Sequence, residues 1–188
     1  MVDKIRNKIR ALISDFSKSG IEIFTYTVSS VFTIAQVNIE ISGVLKNGTT
    51  LAEDKYSFDD LTNKLTVTDT LSEGDVIEVN YTYYKYSSTE LDEYLRASLV
   101  WLSVYGYNDK DYELESGELI APTPDNRTTD LMALISSILI KPDYSSYRLP
   151  NLTVTYNKKM SKEERIEKLI GRFISGLGVN DVLDFDEI

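Results

Sequence analysis

The chain has 188 residues, 42% of them hydrophobic and 27% charged, the make-up of a folded protein. Lys and Arg number 20 against 30 Asp and Glu, a net charge of −10, so the average field repels nucleic-acid phosphate. With no Cys and no His, disulfides, thiol catalysis and Cys-ligated zinc are excluded, and the usual general base and commonest metal ligand are missing.

Ile5, Ile9, Leu12, Ile13 and Phe16 recur at helical spacing, with Lys4, Arg6, Lys8 and Arg10 between them. This predicts an amphipathic helix from Asp3 to Ser17, ended by Gly20. A basic amphipathic helix suits a membrane surface or nucleic acid, but no Trp anchors this one. The expectation is therefore packing on its own domain or on a neighbouring subunit. The apolar residues are spaced by charges, unlike a signal peptide, and no run approaches the ~18 apolar residues of a membrane span.

From Ile21 the period changes to two. Val37, Ile39 and Ile41 alternate with Asn38, Glu40 and Ser42, the pattern of a strand with one face buried. Asn47-Gly48 signals a tight hairpin, because both residues tolerate positive φ. Tyr56 and Phe58, then Leu65 and Val67, predict two short strands, and Ser72-Glu73-Gly74-Asp75 turns the chain into a strand from Val76 to Tyr84. About six strands over residues 21–86 predict an inserted antiparallel β-sandwich or open-barrel module. Five tyrosines lie between Tyr56 and Tyr86; they suit a half-buried sheet surface, or a sugar- or partner-binding face.

Ser87 and Glu90 have the spacing of a capping box, followed by Leu91, Leu95, Leu99 and Leu102 on one helical face. Tyr107 to Arg127 is acidic and long for a connection, which marks a functional loop or a hairpin extension. Leu131, Leu134, Ile135, Ile138 and Leu139 predict a helix apolar nearly all round, fit for the middle of a bundle and stopped by Pro142. Leu152, Val154 and Tyr156 alternate as a lone strand after Pro150. Ser161 and Glu164 form a second capping box ahead of Ile166, Leu169, Ile170, Phe173 and Leu177, in a helix ending at Gly176 or Gly178. Residues 179–188 read as a flexible acidic tail interleaved with Val182, Leu183, Phe185 and Ile188. No dinucleotide, phosphate-loop or nucleophile-elbow motif occurs, and the acidic runs lack the spacing of a calcium loop. The expectation is a protein that is not an enzyme, with no catalytic residue, cofactor or metal, and one that works through its surfaces.

The helical part, through the apolar helix into "LPNLTVTYN" and then "SKEERIEKLIGRFISGLG", resembles the head–tail connector (adaptor, or head-completion) proteins of tailed bacteriophages. These are small, cysteine-poor helical proteins in which an apolar helix is followed by a short extended segment and a last helix. The cadence "NGTTLAEDKYSFDD…KLTVTDTLSEGDVIEVNYTYY" is similar to β-modules inserted in phage virion proteins.

The resemblance implies an α+β protein. Residues 1–20 and 87–178 would form a helical connector domain, a small bundle, with 21–86 as the inserted β-module and 179–188 as the tail. It implies a homo-oligomeric ring, twelve-fold like the portal, mounted under the portal at the capsid vertex and reaching a neck or tail-completion protein. DNA would pass through the ring without specific binding, and the protein would be made in the host cytoplasm. The C-terminal segment would dock on the portal through Val182, Leu183, Asp184, Phe185 and Ile188. The rival reading is a tail, baseplate or fibre-associated module that binds through its tyrosine-rich β surface.

Overall fold

A computed structural model describes residues 1–115, 119–150, 152–157, 159–176 and 182–184. The protein is α+β: four helices and several mostly antiparallel sheets, with no closed barrel among the described residues. The chain divides into two compact units, Phe16–Tyr86 and a second made of Met1–Asp15 together with Ser87–Ile188.

The first unit is all β apart from one short turn of helix. Its strands are β1 (Lys18–Thr25), β2 (Val31–Thr33), β3 (Ile39–Lys46), β4 (Thr49–Thr50), β5 (Tyr56–Asp59), β6 (Lys64–Val67) and β7 (Val76–Tyr83). They form a four-stranded sheet in the order β1-β7-β3-β4 and a three-stranded sheet in the order β2-β6-β5. Every pairing in both sheets is antiparallel. Asn47 and Gly48 both take positive φ, 50° and 80°, and turn β3 into β4. Period-two alternation puts Ile77, Val79 and Tyr81 of β7 inside, where Val44 of β3 meets Phe32, Leu65 and Val67 from the other sheet, and Ile34 just past β2, in one core.

Gly20 does not end a helix. It lies inside β1 opposite Tyr81, and a Cβ there would stand 2.6 Å from Tyr81 Cζ. Glycine is required here by a close approach to a ring, not by a helix terminus. The tyrosine is fixed in turn. It is buried in the core, and its hydroxyl donates to Glu22 Oε1 at 3.0 Å. Burial, reinforced by that carboxylate, pushes the Tyr81 hydroxyl up to about 12.

In the second unit α1 (Val2–Ile13) stops at Ser14, whose φ of 58° is left-handed. Then come α2 (Ser88–Val104), β8 (Glu113–Glu115), β9 (Leu119–Ala121), α3 (Asn126–Ile140), β10 (Ser146–Leu149), β11 (Leu152–Thr155), α4 (Lys162–Ile174) and β12 (Val182–Asp184). Both capping boxes form, at Ser87/Glu90 and Ser161/Glu164. Residues 131–138 of α3 are all buried, with α1, α2 and α4 packed around it. Its two mid-helix serines are satisfied locally, Ser136 donating to the Met132 carbonyl and Ser137 to that of Ala133.

The acidic stretch after α2 contains the hairpin β8–β9. The strand at Leu152 is not alone: β10 pairs with it antiparallel, Leu149 opposite Leu152, and β12 lies parallel to it on the other side. Arg165 of α4 is buried, and its guanidinium donates to the carbonyls of Pro142 (2.5 Å), Tyr144 (2.9 Å) and Asn157 (3.3 Å). One side chain thereby ties the segments before β10 and after β11 to the last helix.

The close approach at Gly20 is open to mutation. Gly20→Ala should lower stability by about 1–3 kcal/mol, the usual penalty for overpacking, seen as a lower urea midpoint at unchanged slope. In a Tyr81→Leu background the same change should cost less, because the ring it strikes is gone.

A second test concerns Asp125, which caps α3 by accepting the Thr128 N–H at 2.6 Å. That bond holds the carboxyl below its ordinary value of 3.8. A depressed folded-state value stabilises above the unfolded one and is lost as pH falls through the folded one. Asp125→Ala should therefore cost about 1 kcal/mol at pH 7, and parent and variant should converge in melts run below the carboxylate range.

Candidate interaction surfaces

The basic face of α1 is occupied within its own unit. Arg6 donates from Nε and Nη2 to both carboxylate oxygens of Asp92 on α2, at 2.8 and 2.6 Å, and from Nη1 to Asp3 at 2.6 Å. Lys8 pairs with Asp130 and donates to Thr129 on α3, while Lys4 reaches Asn126 at 2.8 Å. Arg10 pairs with Asp15 at 2.5 Å, both side chains buried. Underneath, Val2, Ile5, Ile9, Leu12 and Ile13 are buried. The cations that might have met lipid or phosphate are committed within the same unit, Arg6, Lys8 and Arg10 to carboxylates and Lys4 to the Asn126 amide oxygen.

The tyrosine-rich strands also face inward for the most part. Tyr81 is in the core of the β unit, and Tyr56 and Tyr83 pack against it half-buried. No helix among the described residues is long and apolar enough to cross a membrane. Among the described residues no three or more Asp or Glu side chains gather in a group fit to hold a metal.

Of the residues expected to dock on the portal, Val182, Leu183 and Asp184 are in β12, opposite Thr153, Val154 and Thr155 of β11. The expected free tail is at these three positions a paired strand. Short alternation with one acid between apolar residues looks the same in a loose end and in a strand, and the pairing partner is remote in sequence. Phe185 and Ile188 lie outside the described residues.

Two apolar surfaces stand bare instead. On the β unit, Ile21 and Ile23 of β1 are 63% and 64% exposed on the face away from the core. β1 is the end strand of its sheet. On the helical unit, Val100 and Val104 of α2 are 62% and 73% exposed, and beside them the Trp101 and Tyr105 rings stack with centroids 5.8 Å apart. The buried leucine stripe dominates the sequence of this helix. The second stripe is visible there only as two valines four residues apart, each followed by an aromatic residue.

No protein-family model matches the chain, and no curated protein aligns with it.

The Arg6–Asp92 pair gives a test of how α1 is held. Its side chains are only 17% and 13% exposed, so removing Asp92 leaves the Arg6 charge out of reach of most water, with the largely exposed Asp3 among its remaining partners. Asp92→Ala should destabilise towards the ~3–5 kcal/mol of a broken buried pair, whereas the double change Arg6→Met with Asp92→Leu should restore most of it. Thermal melts of the three proteins read this directly.

Proposed function

We propose that this chain is a virion structural protein of a tailed bacteriophage, a head–tail connector whose copies form a ring under the portal and continue the DNA channel. The observation that carries the reading is the pair of open edges on one sheet. Among the described residues β1 pairs as a strand only with β7, and β4 pairs with β3 only at Leu45 and Lys46, so residues 39–43 of β3 carry no strand on that side. A ring needs two different surfaces that meet head to tail, and two different sheet edges supply them. Exposed Ile21 and Ile23 on a long edge are a liability in a solitary molecule and an asset in a subunit.

Further support comes from element order. A capped helix, an apolar helix, an extended segment and a second capped helix follow one another as in the adaptors the sequence resembles. The net charge of −10 suits a channel from which duplex DNA must leave without sticking. The segment with Val182, Leu183, Asp184, Phe185 and Ile188 is the proposed portal contact. Docking would exchange the β11–β12 pairing for pairing with the portal, and a neck or tail-completion protein would meet the ring's other face. In this reading the protein is made in the host cytoplasm and resides at the capsid vertex.

Native mass spectrometry of the pure chain, alone and with portal-bearing capsids, tests this. The expected result is a closed homo-oligomer, twelve copies with the portal. Ile21→Lys with Ile23→Lys should yield folded monomers, and deletion of 180–188 should leave the ring but abolish attachment to capsids. A chain that stays monomeric at every concentration and ignores portal-bearing capsids would reject the proposal.

A further inference from the structure

The bare stripe on α2 has an electrostatic border. Arg96, Val100, Ser103 and Val104 follow one another at helical spacing on one side of α2, with Trp101 and Tyr105 on the adjoining stripe. The chain then turns at Gly106 and runs back along that same side. Ser103 Oγ donates to Asp111 Oδ1 at 2.6 Å, and Arg96 Nη1 donates to the Leu114 carbonyl at 3.3 Å. That returning arm exposes Asp109, Asp111, Glu113 and Glu115, with Lys110 its single base, while Tyr112 and Leu114 turn inward. The valines are therefore bordered on one side by exposed Asp109, Asp111, Glu113 and Glu115, with Arg96 reaching into that border, and the stacked aromatic pair lies on their other side.

We infer that this stripe is the docking surface for a basic amphipathic segment of another protein: an apolar helix face fringed by lysine or arginine. The apolar centre supplies contact area, with the aromatic residues favoured at such centres, and the carboxylate row selects partners by charge. The row also disfavours a second copy in antiparallel two-fold pairing, since that arrangement sets carboxylates against carboxylates. The chain's own basic helix α1 is not the occupant; its apolar face is buried and its cations are paired. The inference does not rest on the connector reading and would hold for any assembly in which the protein serves.

Trp101 is the chain's only tryptophan, so its emission reports on this stripe. The probes are two designed helical peptides with the same leucine face, one fringed by lysine and one by glutamate, titrated into the full-length chain. The lysine-fringed peptide should shift Trp101 emission to the blue and bind at least tenfold more tightly than the glutamate-fringed one. That preference should shrink as salt rises from about 50 to about 300 mM. Val100→Ser with Val104→Ser should weaken binding at least tenfold with an unchanged melt. Asp111→Asn with Glu113→Gln should erase the preference between the peptides while leaving apolar binding. The inference is overturned if neither peptide shifts the emission or if both bind equally. It is overturned too if the valine substitutions abolish self-association of the chain, which would make a second copy the occupant.

Discussion

A helix without a polar face has to be covered on every side, and that requirement organises the helical unit. α3 buries residues 131–138 without interruption. Its neighbours are then fixed: α1 and α2 on two sides, α4 on another. Each neighbour is amphipathic because one face meets α3 and the other meets water. Even the polar residues of α3 obey the constraint. Ser136 and Ser137 turn their hydroxyls onto the helix's own carbonyls, so neither is left searching for a partner in the core.

Ion pairs and charged hydrogen bonds then fix what hydrophobic packing leaves free. Apolar contact alone would let α1 slide or rotate on α3. Lys4 on Asn126 and Lys8 on Asp130 set its translation and direction, while the two-pronged Arg6–Asp92 contact sets its rotation toward α2. Arg165 plays a comparable part at the other end of the unit, gathering three carbonyls from the segments around β10 and β11.

The features legible in the sequence are those whose cause is local. Ser87 with Glu90, Ser161 with Glu164 and Asn47-Gly48 each carry their reason within four residues, and each forms as its spacing predicts. The apolar stripes of α1, α2 and α4 and the alternation of β7 are equally plain. The departures share a remote cause. Gly20 reads as a helix stop until Tyr81, far along the chain, is found against it. β10 follows Pro142 in a run of only four residues whose partner is needed to make it a strand. β12 depends likewise on β11. The stripe at Val100 is masked by a stronger one on the same helix, and the acidic arm beside it gains meaning only from the fold-back of Asp111 onto Ser103.

The β unit interrupts the helical one, and this changes what closing the helical one costs. Arg6 and Asp92 lie 86 positions apart in the chain, and Lys8 and Asp130 lie 122 apart. Closing loops of that length in an unfolded chain is slow, because the chain entropy is surrendered ahead of the contacts that repay it. The register of β1 on β7 sets Lys18 opposite Tyr83, so once the β unit has formed, its entrance and exit are side by side. The loop that α1 must still close shrinks to roughly 20 flexible residues, about two halvings, which lowers the entropic barrier by roughly 1 kcal/mol. The inserted unit thus acts as an intramolecular clamp for the helices. During synthesis α1 precedes the β unit, and its partners on α2 and α3 follow only after that unit has been made.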